Sequence, residues 1–252
     1  MSVKCLSCIA AAVVLPAAGW HVRSRISSRL RHLGLNRLAK SGRSPVAGAL
    51  ILVTLPMHGS DPAEGDQPVQ SVLEIRHDRV LIQQWDLSCG SAALGTLLRY
   101  QFGEPVSEKE ITLALLGRAE YVAHPELLQA REGFSFLDLK RYLQTYRGAG
   151  LYKGEGLGQL DLNDLIERAP LMVAVNALGY NHYVVFRGIM GDRVLVADPA
   201  WGNRTMTIDK FQRMWLDYGE PIGHVGFVVE RADGQKLLNT LQPQPTDFVL
   251  LR

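Results

Sequence analysis

The sequence predicts an α+β domain of about 160 residues, with helices in its first half and an antiparallel sheet in its second. Three observations carry this expectation. Ser88, Ser107, Ser135 and Asp161 each stand just before apolar residues at helical spacing, which is how helix starts look. Beyond Pro170 the pattern changes to short runs rich in Val, Phe, Ile and Tyr, which read as strands. Met190-Gly191-Asp192-Arg193, between two such runs, reads as a tight hairpin turn.

Taken in order, Gly59 to Gln70 is rich in Gly, Pro and acids and reads as a linker. Ser71 to Ile82 has alternating apolar residues and is expected to form a short strand. A helix then begins at Cys89, with Ser88 as its cap, and continues through Leu97 and Leu98. Ser107-Glu108-Lys109-Glu110 fits a capping box and opens a second helix to about Leu116. A third runs from near Ser135 to about Tyr146. Gly148 to Gly158 holds five glycines and reads as a flexible loop. It follows a helix and lacks a Gly-Lys-Ser/Thr ending, so it is not a phosphate loop. A short helix over Leu162 to Arg168, capped by Asp161, precedes strands at Leu171–Val175, Tyr183–Ile189, Arg193–Ala197, Thr205–Ile208 and Val225–Glu230. Asp209 to Trp215 reads as a helix between the last two strands, and residues 231–252 as a loosely held tail. The expected organisation is therefore a targeting region at 1–58, a linker at 59–70, a catalytic domain at 71–230 and the tail.

Charge divides the chain unevenly. Residues 1–60 carry eight of the 27 basic residues and no Asp or Glu, leaving 19 basic against all 25 acidic residues beyond them. A mildly acidic body gives no footing for nucleic acid. Within the basic region, Val46 to Met57 is an apolar run flanked by Lys40 and Arg43 and followed by small and polar residues, the layout of an export signal. It is shorter than the ~20 apolar residues of a membrane span. Cys5 to Trp20 is a second apolar stretch, and two signals in tandem suggest that translation begins later than Met1. The expected location is periplasmic, with an uncleaved N-terminal membrane anchor as the alternative. Export would remove Cys5 and Cys8 and leave Cys89 as the one thiol, unable to form an internal disulfide.

A cysteine in the first turn of a helix faces unpaired N–H groups and the positive end of the helix dipole, which favour thiolate. Its plain alternative is a small buried hydrophobe. A thiolate catalyst needs a base and a group to orient that base. His182 begins one strand of the Gly191-Asp192 hairpin, and Asp198 ends the returning strand, with residues near 201 opposite His182. Taken singly, His182 fits a strand-end histidine and Asp198-Pro199 an ordinary turn. Acyl chemistry also needs donors at the carbonyl oxygen, for which the Cys89 N–H and the Gln83 carboxamide are candidates, with Gln84 as competitor.

Three blocks, Gln83 to Leu98, Asn181 to Gly188 and Val194 to Gly202, together resemble peptidase family C39, the papain-like cysteine peptidases of bacteriocin export systems. The resemblance covers about residues 71–230. It implies a papain-like fold, Cys89 as nucleophile, His182 as general base and acid, Asp198 as its orienter, and Gln83 in the oxyanion hole. The best-known members cut leader peptides after Gly-Gly, which implies a narrow cleft; Trp85 and Tyr180 are candidate walls. Transporter members continue into membrane helices and a nucleotide-binding domain, which this sequence lacks. It is similar instead to stand-alone exported members, including the accessory peptidase of a bacterial functional-amyloid secretion system. That likeness implies a secreted protein or peptide as substrate and secretion-system components as partners.

The leading expectation is thus a cysteine endopeptidase. The rivals are an acyltransferase on the same three residues and a substrate-binding module that does no chemistry. His77, His124 and His224 form no close pair, so neither a metal site nor a cofactor is expected.

Overall fold

The computed structural model describes residues 70–146 and 150–250. The expected targeting region and nearly all of the linker lie outside these residues. The first element corrects the sequence reading. Ser71 to Ile82 opens not as a strand but as helix α1 (Val72–His77), because Ser71 and Glu74 form a reciprocal capping box. The Ser-x-x-Glu signal was present and outweighs a short alternation of apolar residues.

Helix α2 (Cys89–Thr96) is buried along its whole length and runs into a π-helical turn, Leu97–Gln101. Its small residues permit this: a Cβ on Gly95 would stand 2.7 Å from Leu81. Helices α3 (Glu108–Leu116), α4 (Ala119–Ala123), α5 (Glu126–Ala130) and α6 (Phe136–Thr145) follow, α3 and α6 each with a capping box at Ser107 and Ser135. The glycine-rich stretch is corrected in turn, since strand β1 (Tyr152–Leu157) lies within it. Glycine is needed there because a Cβ on Gly154 would run into the Phe227 ring and lie 2.8 Å from Leu143. Helix α7 (Leu162–Arg168), capped by Asp161, leads to β2 (Leu171–Ala177), β3 (Tyr180–Met190), β4 (Arg193–Asp198) and β5 (Gly202–Thr207). Helix α8 (Ile208–Met214), strand β6 (Gly226–Arg231) and helix α9 (Pro245–Leu250) complete the described chain.

The strands form one antiparallel sheet in the order β1-β6-β2-β3-β4-β5. Both faces are covered. Met172, Val185, Ala197 and Phe227 pack with Leu94, Leu97, Ile111 and Leu139 of α2, the π turn, α3 and α6. Leu171, Val173, Val184, Phe186 and Val196 pack with Leu165 and Phe211 of α7 and α8. A strand buried on both faces reads as a continuous apolar run, which is why Leu171 to Val175 shows no alternation. The expected α+β class, with leading helices on a C-terminal antiparallel sheet, is the observed one.

Residues 231–250 are not a loose tail. Leu241 is fully buried, Thr240 N donates to Gln101 Oε1 at 2.9 Å, and Phe248 of α9 packs with Ile75 and Leu195. The prolines that suggested looseness flank these anchors; Pro243 lies against Gly188, whose Cβ position is 2.8 Å from it.

Candidate active site

The site is assembled from α2, β3 and β4. Cys89 opens α2 and is 4% exposed, the one free cysteine among the described residues. Ser88 occupies the cap position but does not cap: its hydroxyl donates to Trp85 O at 2.6 Å and to Glu108 Oε1 at 2.5 Å. Glu108 is a buried carboxylate that also accepts Gln84 N–H on both oxygens, at 2.9 and 3.0 Å. One acid side chain thus ties down both ends of the loop before Cys89. The loop is further constrained at Leu87, whose φ of 67° is unusual for a leucine. Gly133 presses against it, its Cβ position only 2.9 Å from Leu87 O. The Cys89 N–H, at the first position of the helix, has no acceptor among the described residues and stays open to an incoming oxygen.

His182 and Asp198 meet through a feature the hairpin argument did not contain. Val185 pairs with Ala197 and Phe186 with Val196, but Gly188 pairs with Leu195, so β3 carries a bulge at Arg187. Below the bulge the register is one residue off that set by the turn, so the residue opposite His182 is not 201. Cross-strand partners share a face, and side chains alternate along a strand. Phe186 and Val196 are partners, so His182 and Asp198 fall on one face of the sheet. Without the bulge Asp198 would sit on the other face.

The imidazole is held from two sides. Its Nε2 lies 2.8 Å from Asp198 Oδ1, and Cys89 stands near enough on the other side to bear on its charge. Asp198, 1% exposed, also accepts Ala200 N–H at 2.9 Å and Arg204 Nη1–H at 2.9 Å. Burial alone would discharge His182, but the hydrogen bonds and charges of Asp198 and Cys89 outweigh it and push its pKa up to about 9. Burial likewise opposes the Asp198 carboxylate, yet its bonds to His182, Arg204 and Ala200 hold its pKa below the usual 3.8. An anion at residue 198 and a proton on residue 182 are therefore the stable arrangement.

Gln83 is tied to this group through its backbone, donating N–H to Pro199 O at 2.9 Å. Its carboxamide is turned into its own loop, with Nε2 donating to Trp85 O at 3.2 Å and Oε1 buried without a partner among the described residues. Gln84 is exposed, and its side chain donates to Ile82 O at 3.2 Å. Trp85 and Tyr180 are 44% and 70% exposed and line different hollows, Trp85 one beside Leu113 and Phe134, Tyr180 one beside His182. His124 pairs with Glu126, while His224 stacks on Trp215 at 4.2 Å. Among the described residues no group of three His, Cys, Asp or Glu could hold a metal, and no helix is long and apolar enough to cross a membrane. Sequence reasoning missed Glu108 and Arg187. Glu108 looked like one more acid in a helix's first turn, and the signal for the bulge at Arg187 is the glycine that follows it inside a strand run, Gly188.

Known proteins resemble this chain over more than half of its length. A relative from Pseudomonas aeruginosa named "Probable functional amyloid protease FapD" is 33% identical over 147 residues, 58% of this chain and 61% of the relative. Its namesake from Pseudomonas fluorescens is 34% identical over the same shares. The chain thus spans less than two thirds of the length of the curated relatives it matches. Among solved structures, a double glycine motif protease from an AMS/PCAT transporter, bound to its leader peptide, is 21% identical with a TM-score of 0.45, covering 60% of this chain and 90% of that one. The peptidase domain of Streptococcus ComA, a bi-functional ABC transporter of a quorum-sensing pathway, is 18% identical with a TM-score of 0.42, over 60% and 97%. The family model described as Peptidase C39 matches residues 78–219, which include Cys89, His182 and Asp198, and the chain accordingly belongs to the peptidase C39 family.

Proposed function

We propose that the chain is a cysteine peptidase that cuts an exported protein or leader peptide by acyl transfer to Cys89. The observation that carries this reading is the imidazole of His182, 2.8 Å from a buried carboxylate and near enough to Cys89 for the sulfur to help hold its proton. In this reading the proton that His182 holds is the one given up by Cys89, and the resulting thiolate attacks the peptide carbonyl. The carbonyl electrons move onto oxygen, which the open Cys89 N–H receives. Gln83 adds a second donor once its carboxamide swings from Trp85 O toward the oxygen. His182 then returns its proton to the leaving amine as the C–N bond breaks, and a thioester remains on Cys89. Water, deprotonated by His182, hydrolyses the thioester and restores the thiol.

Asp198 orients the imidazole and favours its protonated form, and Arg204 holds Asp198 in turn. The family supports a peptide substrate, and cleavage after Gly-Gly is the specificity we assign. The relatives named as functional amyloid proteases support an amyloid component as the substrate, and the export-like run at Val46 to Met57 supports a periplasmic setting. Incubation of the full chain with exported proteins, reading new termini by mass spectrometry, tests the proposal. Cleavage that disappears in Cys89→Ala is expected; unchanged cleavage by that variant would refute it.

A further inference from the structure

The cavity beside His182 encloses about 690 Å³. Around it stand Tyr180 and His182 of β3, Trp201 of the turn after β4, Arg204 of β5, Arg76 of α1 and Lys210 of α8. Among the described residues no carboxylate lines it. Arg204 is already paired with Asp198 at 2.9 Å. The side chains of Arg76 and Lys210, both exposed, have no hydrogen bond or ion pair among the described residues. Two uncompensated cations in one concave wall raise the local potential, and an anion placed between them relieves it. Trp201 and Tyr180, 58% and 70% exposed, add aromatic surface on which a peptide can lie.

The position of the cavity says which part of a substrate would reach it. His182 borders it and Cys89 does not. In acyl transfer the sulfur keeps the segment before the cut, while the imidazole hands its proton to the amine of the segment after it. The leaving segment therefore lies on the imidazole's side. We propose that this cavity receives acidic side chains within the first few residues after the cut, and that Arg76 and Lys210 select them. The inference rests on the peptidase reading and adds a substrate class to it.

The test uses the full chain and peptides identical through Gly-Gly, followed by Ala-Glu-Asp, Ala-Gln-Asn or Ala-Lys-Lys. An acidic peptide should be cut with a kcat/KM about tenfold above its amide counterpart, and the lysine peptide below both. Arg76→Gln with Lys210→Gln should bring the acidic-to-amide ratio near one, and Arg76→Glu with Lys210→Glu should invert the order. Arg204 is left intact because it supports Asp198. Should a double variant fail to fold, judged by circular dichroism, Lys210→Gln alone should still lower the ratio. A second readout needs no turnover: fluorescein-labelled Ala-Glu-Asp-Ala should bind Cys89→Ala more tightly than labelled Ala-Gln-Asn-Ala, and lose that advantage at 0.5 M salt. Equal cleavage of acidic and amide peptides, or a preference that survives the double variants, would overturn this inference and leave the peptidase reading standing. If the native chain cut no peptide of the set, both would fall together.

Discussion

At the scale of single residues, the proton on His182 links structure to chemistry. Its pKa of about 9 lies above the ordinary 6.5 because Asp198 and Cys89 overcome the burial that would discharge it. A group whose pKa is raised on folding lends stability that is complete below 6.5 and is lost as pH rises through about 9. The same proton must reach the leaving amine. Activity is therefore expected to fall above about pH 9, and Asp198→Asn should move that limb toward 6.5 while lowering kcat. A pH–rate profile of both proteins checks this; an unmoved limb would count against Asp198 as the orienting group. Glu108 gives a second prediction at this scale. Its buried carboxylate accepts two bonds from Gln84 N–H and one from Ser88. Glu108→Gln, which swaps one acceptor oxygen for a donor, should cost about 1–3 kcal/mol of stability, measured by urea unfolding, and reduce cleavage by loosening the approach to Cys89. Cys89, His182 and Asp198 were legible as candidates because each sits at a boundary that local signals mark, a helix start or a strand end. Glu108 was not, because what matters is its burial against a loop 20 or more residues earlier.

At the scale of elements, the bulge in β3 and the chain that covers it decide which face Asp198 occupies. Arg187 is fully buried at the bulge, its Nε donating to Leu241 O at 2.6 Å and its Nη1 to Asn203 Oδ1 at 2.8 Å. Asn239 Nδ2 donates back to Arg187 O at 2.9 Å. Asn203 in turn donates to Ile75 O and Asp78 O, tying α1 and the turn after it to β5. Truncation before Asn239 removes Leu241 O and the Asn239 side chain and leaves the buried guanidinium with Asn203 alone. That variant is expected to lose activity and several degrees of thermal stability, followed by circular dichroism and peptide cleavage together. Gly133→Ala tests the loop before Cys89. Its φ of 126° disfavours any side chain, and the added methyl would press on Leu87 O. A marked loss of both stability and cleavage is expected. The sequence marked the hairpin through Gly191-Asp192 and the bulge only through Gly188, a strand glycine whose meaning depends on contacts made more than 50 positions later.

At the scale of the whole molecule, the sheet is the frame and both of its faces are in use. The nucleophile's helix belongs to the core on one face, while His182 and Asp198 share the opposite face with Phe186 and Val196. The site therefore reports on the packing of both layers. Leu94→Ala, at a fully buried position of α2, should cost roughly 2–5 kcal/mol by chemical denaturation and shift Cys89 relative to β3. Periodicity and caps made the division into helices and sheet legible, since these are properties of adjacent residues. Where the reading failed, at α1, β1 and the tail, the deciding contacts are either a cap weighed too lightly or tertiary burial that no neighbouring residue encodes. Leu241 illustrates this: it lies among prolines and polar residues, yet it closes the core against α2 and the π turn.

The most direct test is to catch the acylated sulfur. The full chain is mixed with a Gly-Gly-containing peptide, quenched in acid within milliseconds and weighed intact. The expected result is a mass gain equal to the N-terminal fragment less one water, carried on Cys89, released by hydroxylamine and absent from Cys89→Ala. Turnover with no such adduct, proceeding equally in Cys89→Ala, would contradict the assignment of this thiol as the nucleophile.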